Sequence, residues 1–159
     1  MSDQTKVFAV VAADAPKRNK PSNYPEPFAS RVADRTKRAL GDMFGLTNFG
    51  VNLTTINPGS QSTIMHKHDK QDEFVYILEG DAVLVTEDGE YELRTGMCAG
   101  FPAGGHAHQL INRSDKPMTY LEIGDRTPGD SVEYPNDDLR ADAAPEGGYV
   151  FVHKDGSPY

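Results

Sequence analysis

The chain has 159 residues, which suits one domain with a real core, because a chain of this size buries about two thirds of its unfolded surface on folding. A formal net charge of -8 offers no basic field for phosphate backbones, which argues against nucleic acid and anionic membranes as partners. One cysteine, Cys98, cannot make an intrachain disulfide, in keeping with a reducing, cytoplasmic setting.

Taken in order, Val7 to Ala13 is a short apolar run, and Asp3 weakens the positive flank that a signal peptide requires. The run is expected to be an edge strand, which a second copy would cover in a homodimer. No apolar run approaches the length needed to span a bilayer. Residues 14–30 mix prolines with polar turn formers and read as an extended surface connection. Arg31 to Leu40 fits either a short polar helix ending at Gly41 or a strand with basic outward positions.

From Val51 the pattern turns to β. VNLTTIN, a Pro58-Gly59 turn, STIMHKH, EFVYILE, a Gly80 turn and DAVLVTE follow in close succession. Asp88-Gly89 is a hairpin signal joining DAVLVTE to EYELR. After Gly96 come a short strand at Met97 to Phe101, a histidine-bearing stretch and PMTYLEIG. Roughly eight strands result, enough for a double-sheet jelly-roll β-barrel. From Arg126 the chain returns to proline, glycine and acidic residues before a strand-like run at Tyr149 to His153, which predicts a tail wrapped on the barrel. His153, beside Lys154 and Asp155, reads as a solvated surface side chain.

The functional signal lies between Gly59 and Gly80, where His66, His68 and Glu73 are spaced His-x-His-x4-Glu. Side chains on a strand alternate faces, so His66 and His68 point the same way and can grip one ion. The Asp-Lys-Gln-Asp segment between His68 and Glu73 has turn composition, so the next strand can return and bring the carboxylate to the imidazoles. Some forty residues on, FPAGGHAHQLIN repeats the alternation with His106 and His108. These two stretches hold His66, His68, His106 and His108, leaving His153 as the fifth histidine.

The pattern resembles the cupin superfamily. Gly59, His66, His68, Glu73 and Gly80 match its first motif, and Gly96, Pro102, Gly104, His108 and Asn112 match its second. One extra residue precedes each histidine strand, which leaves His106 as a rival to His108; the spacing to Asn112 favours His108. The motif-bearing part covers about residues 50–124, with 1–49 an N-terminal extension and 125–159 the tail, all in one cupin domain. More loosely, the whole chain looks like single-domain bacterial cupins labelled sugar-isomerase-like. The resemblance implies one divalent transition ion, Mn, Fe, Ni, Cu or Zn, held by His66, His68, Glu73 and His108 in a barrel that takes a small-molecule ligand.

Such a site suits a small metal-dependent enzyme of isomerase or lyase type on a sugar, sugar acid or other hydroxy-carbonyl compound, with His106 as the candidate proton carrier. Two alternatives remain open at this stage: an iron-dependent dioxygenase, and a non-enzymatic binding or sensing barrel. Lys67 and Lys70 are the cations near the motif in sequence. Tyr76, on the face opposite Glu73, is expected to pack between sheets, and Leu121 and Ile123 are expected inside in place of Tyr120 and Glu122. Gln61 and Arg94 have no local feature that separates them from solvated strand residues, and Cys98, between Met97 and Ala99, reads as a buried inert thiol.

Overall fold

The structure is a computed structural model that describes residues 7–20 and 22–159. In chain order its strands are β1 (Arg35–Ala39), β2 (Phe49–Ile56), β3 (Lys67–His68), β4 (Glu73–Glu79), β5 (Asp81–Thr86) and β6 (Gly89–Arg94). There follow β7 (Cys98–Phe101), β8 (His108–Ile111), β9 (Met118–Asp125), β10 (Ser131–Tyr134), β11 (Leu139–Ala143) and β12 (Tyr149–Val152). Two one-turn helices, α1 (Phe28–Arg31) and α2 (Leu40–Met43), flank β1. The protein is an all-β jelly roll.

One layer is a five-stranded antiparallel sheet in the order β1-β2-β9-β4-β7. The other joins β6-β5-β8 to β12-β11-β10-β3. The seam between them is made by reciprocal backbone hydrogen bonds, His66 N–H to the His108 carbonyl at 3.2 Å and His108 N–H to the His66 carbonyl at 2.9 Å, with a further bridge between Gln61 and Ile111. Of the expected strand Ser62 to His68, only Lys67–His68 is regular; the rest is held by these single bridges.

Alternation decides which faces turn inward. On β4, Val75 and Ile77 are buried, whereas Phe74, Tyr76 and Leu78 are each about two fifths exposed. Tyr76 therefore lies on the outer surface instead of packing between the sheets. On β9, Met118 and Tyr120 are buried, which places Glu122 on the inner face and Leu121 and Ile123 on the outer one, the reverse of the expectation from hydrophobicity. Cys98 is exposed, not buried.

At Gly80 the chain crosses from β4 in one layer to β5 in the other with φ of +79°, and a Cβ there would sit 2.9 Å from the Pro117 carbonyl oxygen. Only glycine meets both demands. The expected hairpin joins β5 to β6 through Glu87 and Asp88, with Thr86 paired to Gly89.

Two apolar clusters fill the interior. The first gathers Ile56, Val75, Ile77, Ala82, Leu84, Leu93, Leu110, Met118 and Tyr120 between the two layers. Fully burying a side chain such as Ile77 contributes about 1.5–3 kcal/mol. The second unites Phe28 and Val32 around α1 with Ile64, Val132, Tyr134, Leu139 and Ala141, and Tyr24, Tyr149 and Phe151 pack against it. The tail is thus a three-stranded addition to the second layer, locked down by the N-terminal segment.

That segment follows the sequence less closely. Arg31 to Leu40 resolves largely into strand β1. Val7 to Ala13 forms no strand: Val7, Phe8 and Val11 are exposed, and a 3-10 turn occupies Ala12–Asp14. Among the described residues no helix is long and apolar enough to cross a membrane.

Candidate metal centre

Glu73 opens β4 on the inner face of the five-stranded sheet, and the opposite layer presents His66, His68 and His108 to it. His66 Nε2 lies 3.2 Å and His108 Nε2 2.9 Å from Glu73 Oε2, while His68 Nε2 lies 3.6 Å from Oε1. Ligand atoms of His66, His68 and Glu73 fall within 4.8 Å of one another. The seam bridge aligns His66 with His108, and the pairing of His68 with Val132 holds the second histidine of the motif.

Each imidazole is oriented through its other nitrogen. His66 Nδ1 is 2.9 Å from the Ile64 carbonyl oxygen and His108 Nδ1 is 3.3 Å from that of His106. A carbonyl only accepts, so Nδ1 carries the hydrogen in both rings and Nε2 is left to face Glu73. His68 Nδ1 lies 2.5 Å from Asp130 Oδ2, and Asp130 is almost wholly buried. The same carboxylate accepts from the Lys70 backbone N–H at 2.7 Å and from the Tyr149 hydroxyl at 2.7 Å. Phe101 stacks on His108 with ring centroids 3.5 Å apart and fixes the plane of that imidazole.

Electrostatics follow the same geometry. Burial alone would lower the His66 pKa, but the charge and hydrogen bond of Glu73, helped by the Ile64 carbonyl, hold it above the ordinary histidine value. Burial lowers that of His108, and its hydrogen bond to Glu73 offsets this only in part. Burial would raise the Glu73 pKa; His66, His108 and His68 outweigh it and keep the carboxyl well below its usual range. For Asp130 the hydrogen bonds from His68, Lys70 and Tyr149 likewise outweigh burial and lower the pKa.

The donor set itself tests whether a metal fits. Three Nε2 atoms surround the Glu73 carboxylate, and those of His66 and His68 come close enough to it for all three residues to share one cation. A proton on His66 serves one contact, whereas a divalent ion would serve His66, His68 and Glu73 together. Imidazole nitrogen with one carboxylate oxygen is a ligand set suited to first-row transition ions. The residues fit such an ion, and Asp130 on His68 is the kind of outer partner that orients a metal-bound histidine.

His66, His68 and Glu73 form part of the wall of a cavity of about 190 Å³. Lys37 and Glu122 line it from the five-stranded sheet, with Lys37 Nζ 2.6 Å from Glu122 Oε2. Tyr134 and Tyr149 enter from the tail, and Arg18 and Arg35 from the N-terminal segment. His106 does not line this cavity; its ring is two thirds exposed, with Nδ1 3.5 Å from carboxylate oxygens of both Glu87 and Asp88. Lys67 instead pairs with Glu133 at 3.4 Å, Gln61 donates to the Thr63 carbonyl, and Arg94 is an exposed partner of Glu92.

The sequence reading missed Asp130, Tyr149, Lys37, Arg35 and Glu122. A usable signal was present for some of them. Glu122 shares parity with Met118 and Tyr120, and Arg35 and Lys37 share one face of a strand whose partner β2 is half-buried. For Asp130 and Tyr149 no local pattern existed, because both act across contacts distant in sequence.

Comparison with known proteins agrees with this geometry. A family model described as the cupin domain matches residues 52–124. A solved cupin-superfamily sugar phosphate isomerase from Silicibacter pomeroyi is similar at 39% identity, over 96% of each chain, with a TM-score of 0.89. A candidate sugar phosphate isomerase from Acidithiobacillus ferrooxidans is 34% identical over 79% of this chain and 80% of its own, with a TM-score of 0.71. A polyketide cyclase from Streptomyces resistomycificus shares the fold at 20% identity, over 81% of this chain and 85% of its own, with a TM-score of 0.65. No significant match was found among curated proteins. With its histidine and glutamate residues gathered inside an antiparallel jelly roll, and with a relative alike over nearly its whole length, the chain belongs to the cupin superfamily.

Proposed function

We propose that the protein is a metal-dependent enzyme of isomerase type acting on a sugar or a related small hydroxy-carbonyl compound. The observation that carries this reading is the gathering of His66, His68 and His108 around Glu73, with His66, His68 and Glu73 on the wall of a cavity of about 190 Å³ that also presents Lys37 and Glu122. Two similar structures named as isomerases support the same class. His66, His68, Glu73 and His108 would hold the ion, with His108 as the fourth ligand in preference to His106.

When bound, the ion supplies Lewis acidity toward a carbonyl or hydroxyl oxygen. Proton movement is the task left to the chain. Among the residues lining the cavity, Glu122 is the carboxylate outside the ligand set, 2.6 Å from Lys37 Nζ, and it is the candidate acceptor for a proton from a substrate carbon. Lys37, as an ammonium, can stabilise negative charge that develops on a substrate oxygen. Tyr134 and Tyr149 line the cavity with hydroxyls kept protonated by burial; that of Tyr149 donates to Asp130, so what it can offer a ligand is its oxygen as an acceptor.

The test is metal analysis together with an isomerisation assay. Protein purified without tags or chelators is expected to carry close to one transition ion per chain, and His68→Ala to lose it along with aldose–ketose interconversion. Full metal content in the His68→Ala protein would remove the ligand assignment. A metal-loaded protein that interconverts no sugar or hydroxy-carbonyl compound would remove the isomerase reading.

A further inference from the structure

We propose that the outer face of the five-stranded sheet is a docking surface for a second copy of this chain. It lies opposite the face that presents Glu73 and Glu122 to the cavity.

Strand register makes this face continuous. Leu53 stands opposite Leu121, Leu121 opposite Tyr76 and Tyr76 opposite Cys98, which forms one row across β2, β9, β4 and β7. A second row runs through Val51, Ile123, Phe74 and Gly100 in the same way. Directly opposed side chains stand about 5 Å apart, so the two rows make one apolar patch, and neither holds a charged residue. Phe49 and Leu78 carry the patch toward the strand ends, and Phe49, Phe74, Tyr76 and Leu78 are each about two fifths exposed. Large apolar side chains left open side by side mark a contact surface, whereas scattered ones do not.

The area suits a second copy. Strands of seven or eight residues rising about 3.3 Å each, set about 4.8 Å apart, give the five-stranded face a plan of roughly 500 Å². Side-chain relief adds to this figure, bringing it toward the ~800 Å² per partner that a specific interface buries. At the β1 end of the first row, Arg38 is opposite Leu53 and its Nε donates to the Ala13 carbonyl at 3.1 Å. Val10 and Val11, exposed and directly before the Ala12–Asp14 turn, add apolar surface beside that edge.

Charge selects the occupant. A chain of formal charge -8 repels its own copies, and the strand β6 in the other layer exposes Glu90, Glu92 and Arg94. The uncharged rows let two copies meet with no like charges opposed, in a twofold contact whose two halves are the same surface. An anionic membrane is disfavoured by the same net charge, and a flat sheet face lacks the concavity that a small molecule needs.

The experiment is sedimentation velocity of the full chain as purified, over a range of concentrations. Twice the chain mass of 17.4 kDa is expected at micromolar concentration. Phe74→Glu and Tyr76→Glu place a carboxylate on the patch, where a partner would bury it unpaired, and each is expected to raise the dissociation constant about 100-fold or more. Tyr91→Glu, at an exposed position on β6, is the control and should leave the mass unchanged. Cys98 gives a readout that needs no substitution: it is the single cysteine, it is exposed, and it is paired with Tyr76. Its reaction with an aromatic disulfide reagent is expected to slow at least fivefold as the protein passes from monomer to dimer. A chain that remains monomeric at every concentration overturns the proposal. So does a dimer that survives both Phe74→Glu and Tyr76→Glu, since the copies would then meet elsewhere. Should these variants fail to fold, a Cys98 rate that does not change on dimerisation overturns it equally.

Discussion

The two cores are assembled in different ways. The first draws all its buried members from residues 56–120, where strands follow each other through short turns. The second spans from Phe28 to Ala141 and closes only when the N-terminal segment and the tail meet around Ile64. One end of the barrel is therefore made by neighbours in sequence, the other by the two ends of the chain. The difference matters because the cavity lies beside the second core: Tyr134 belongs to that cluster, Tyr149 packs on it, and both line the cavity. The motif-bearing stretch supplies His66, His68, Glu73 and His108. The N-terminal segment and the tail supply much of the wall, and the tail supplies Asp130 as well.

This contrast can be broken first by truncating each core. Ile77→Ala empties a fully buried position in the first cluster and is expected to cost about 4 kcal/mol, while the remaining folded protein keeps its metal affinity. Denaturant melts and metal titration on the same sample check both halves. Leu139→Ala, equally buried in the second cluster, is expected to cost about 3 kcal/mol and also to weaken metal binding, because β11 supports β10 and β12 on either side. Equal metal affinity in both variants would show that the second core does not support the site.

A finer test removes the link without emptying a core. Asp130→Asn keeps the volume but cannot accept from His68, Lys70 and Tyr149 at once as a carboxylate does, and metal affinity is expected to fall about 10- to 100-fold. A competition titration with a coloured chelator would read that change directly. The smallest effect is expected from Tyr149→Phe, which deletes one donor to Asp130 and should cost about 1 kcal/mol with less than a tenfold loss of metal affinity. If Tyr149→Phe weakened metal binding as much as Asp130→Asn, the tail would act on the centre by more than this hydrogen bond.

Much of the barrel was legible beforehand. Strands β2 and β4 to β9 follow from alternation and turn residues, and the glycine at Gly80 marks the crossing between layers. His66, His68 and Glu73 converge as their spacing implies. Hydrophobicity misled on β9, because a polar site needs inward polar side chains: Glu122 takes an inner position and Leu121 and Ile123 turn outward. It misled at Cys98 and Tyr76 for a related reason, since the outer face of the five-stranded sheet is itself rich in apolar groups. Val7 to Ala13 had the composition of a strand yet joins no sheet, and apolar composition alone does not make a ladder.

What the sequence determined by itself is local: which residues alternate, where the chain turns, and which histidines and carboxylate share a face. These depend on steric and hydrogen-bonding preferences that reach only a few residues along the chain. The tertiary structure alone decided that His68 rests on Asp130, that Lys37 meets Glu122, and that Arg18 and Arg35 reach the cavity lined by His66, His68 and Glu73. Those contacts join segments dozens of residues apart, and they exist because closing the second core brings both ends of the chain against the seam between His66 and His108.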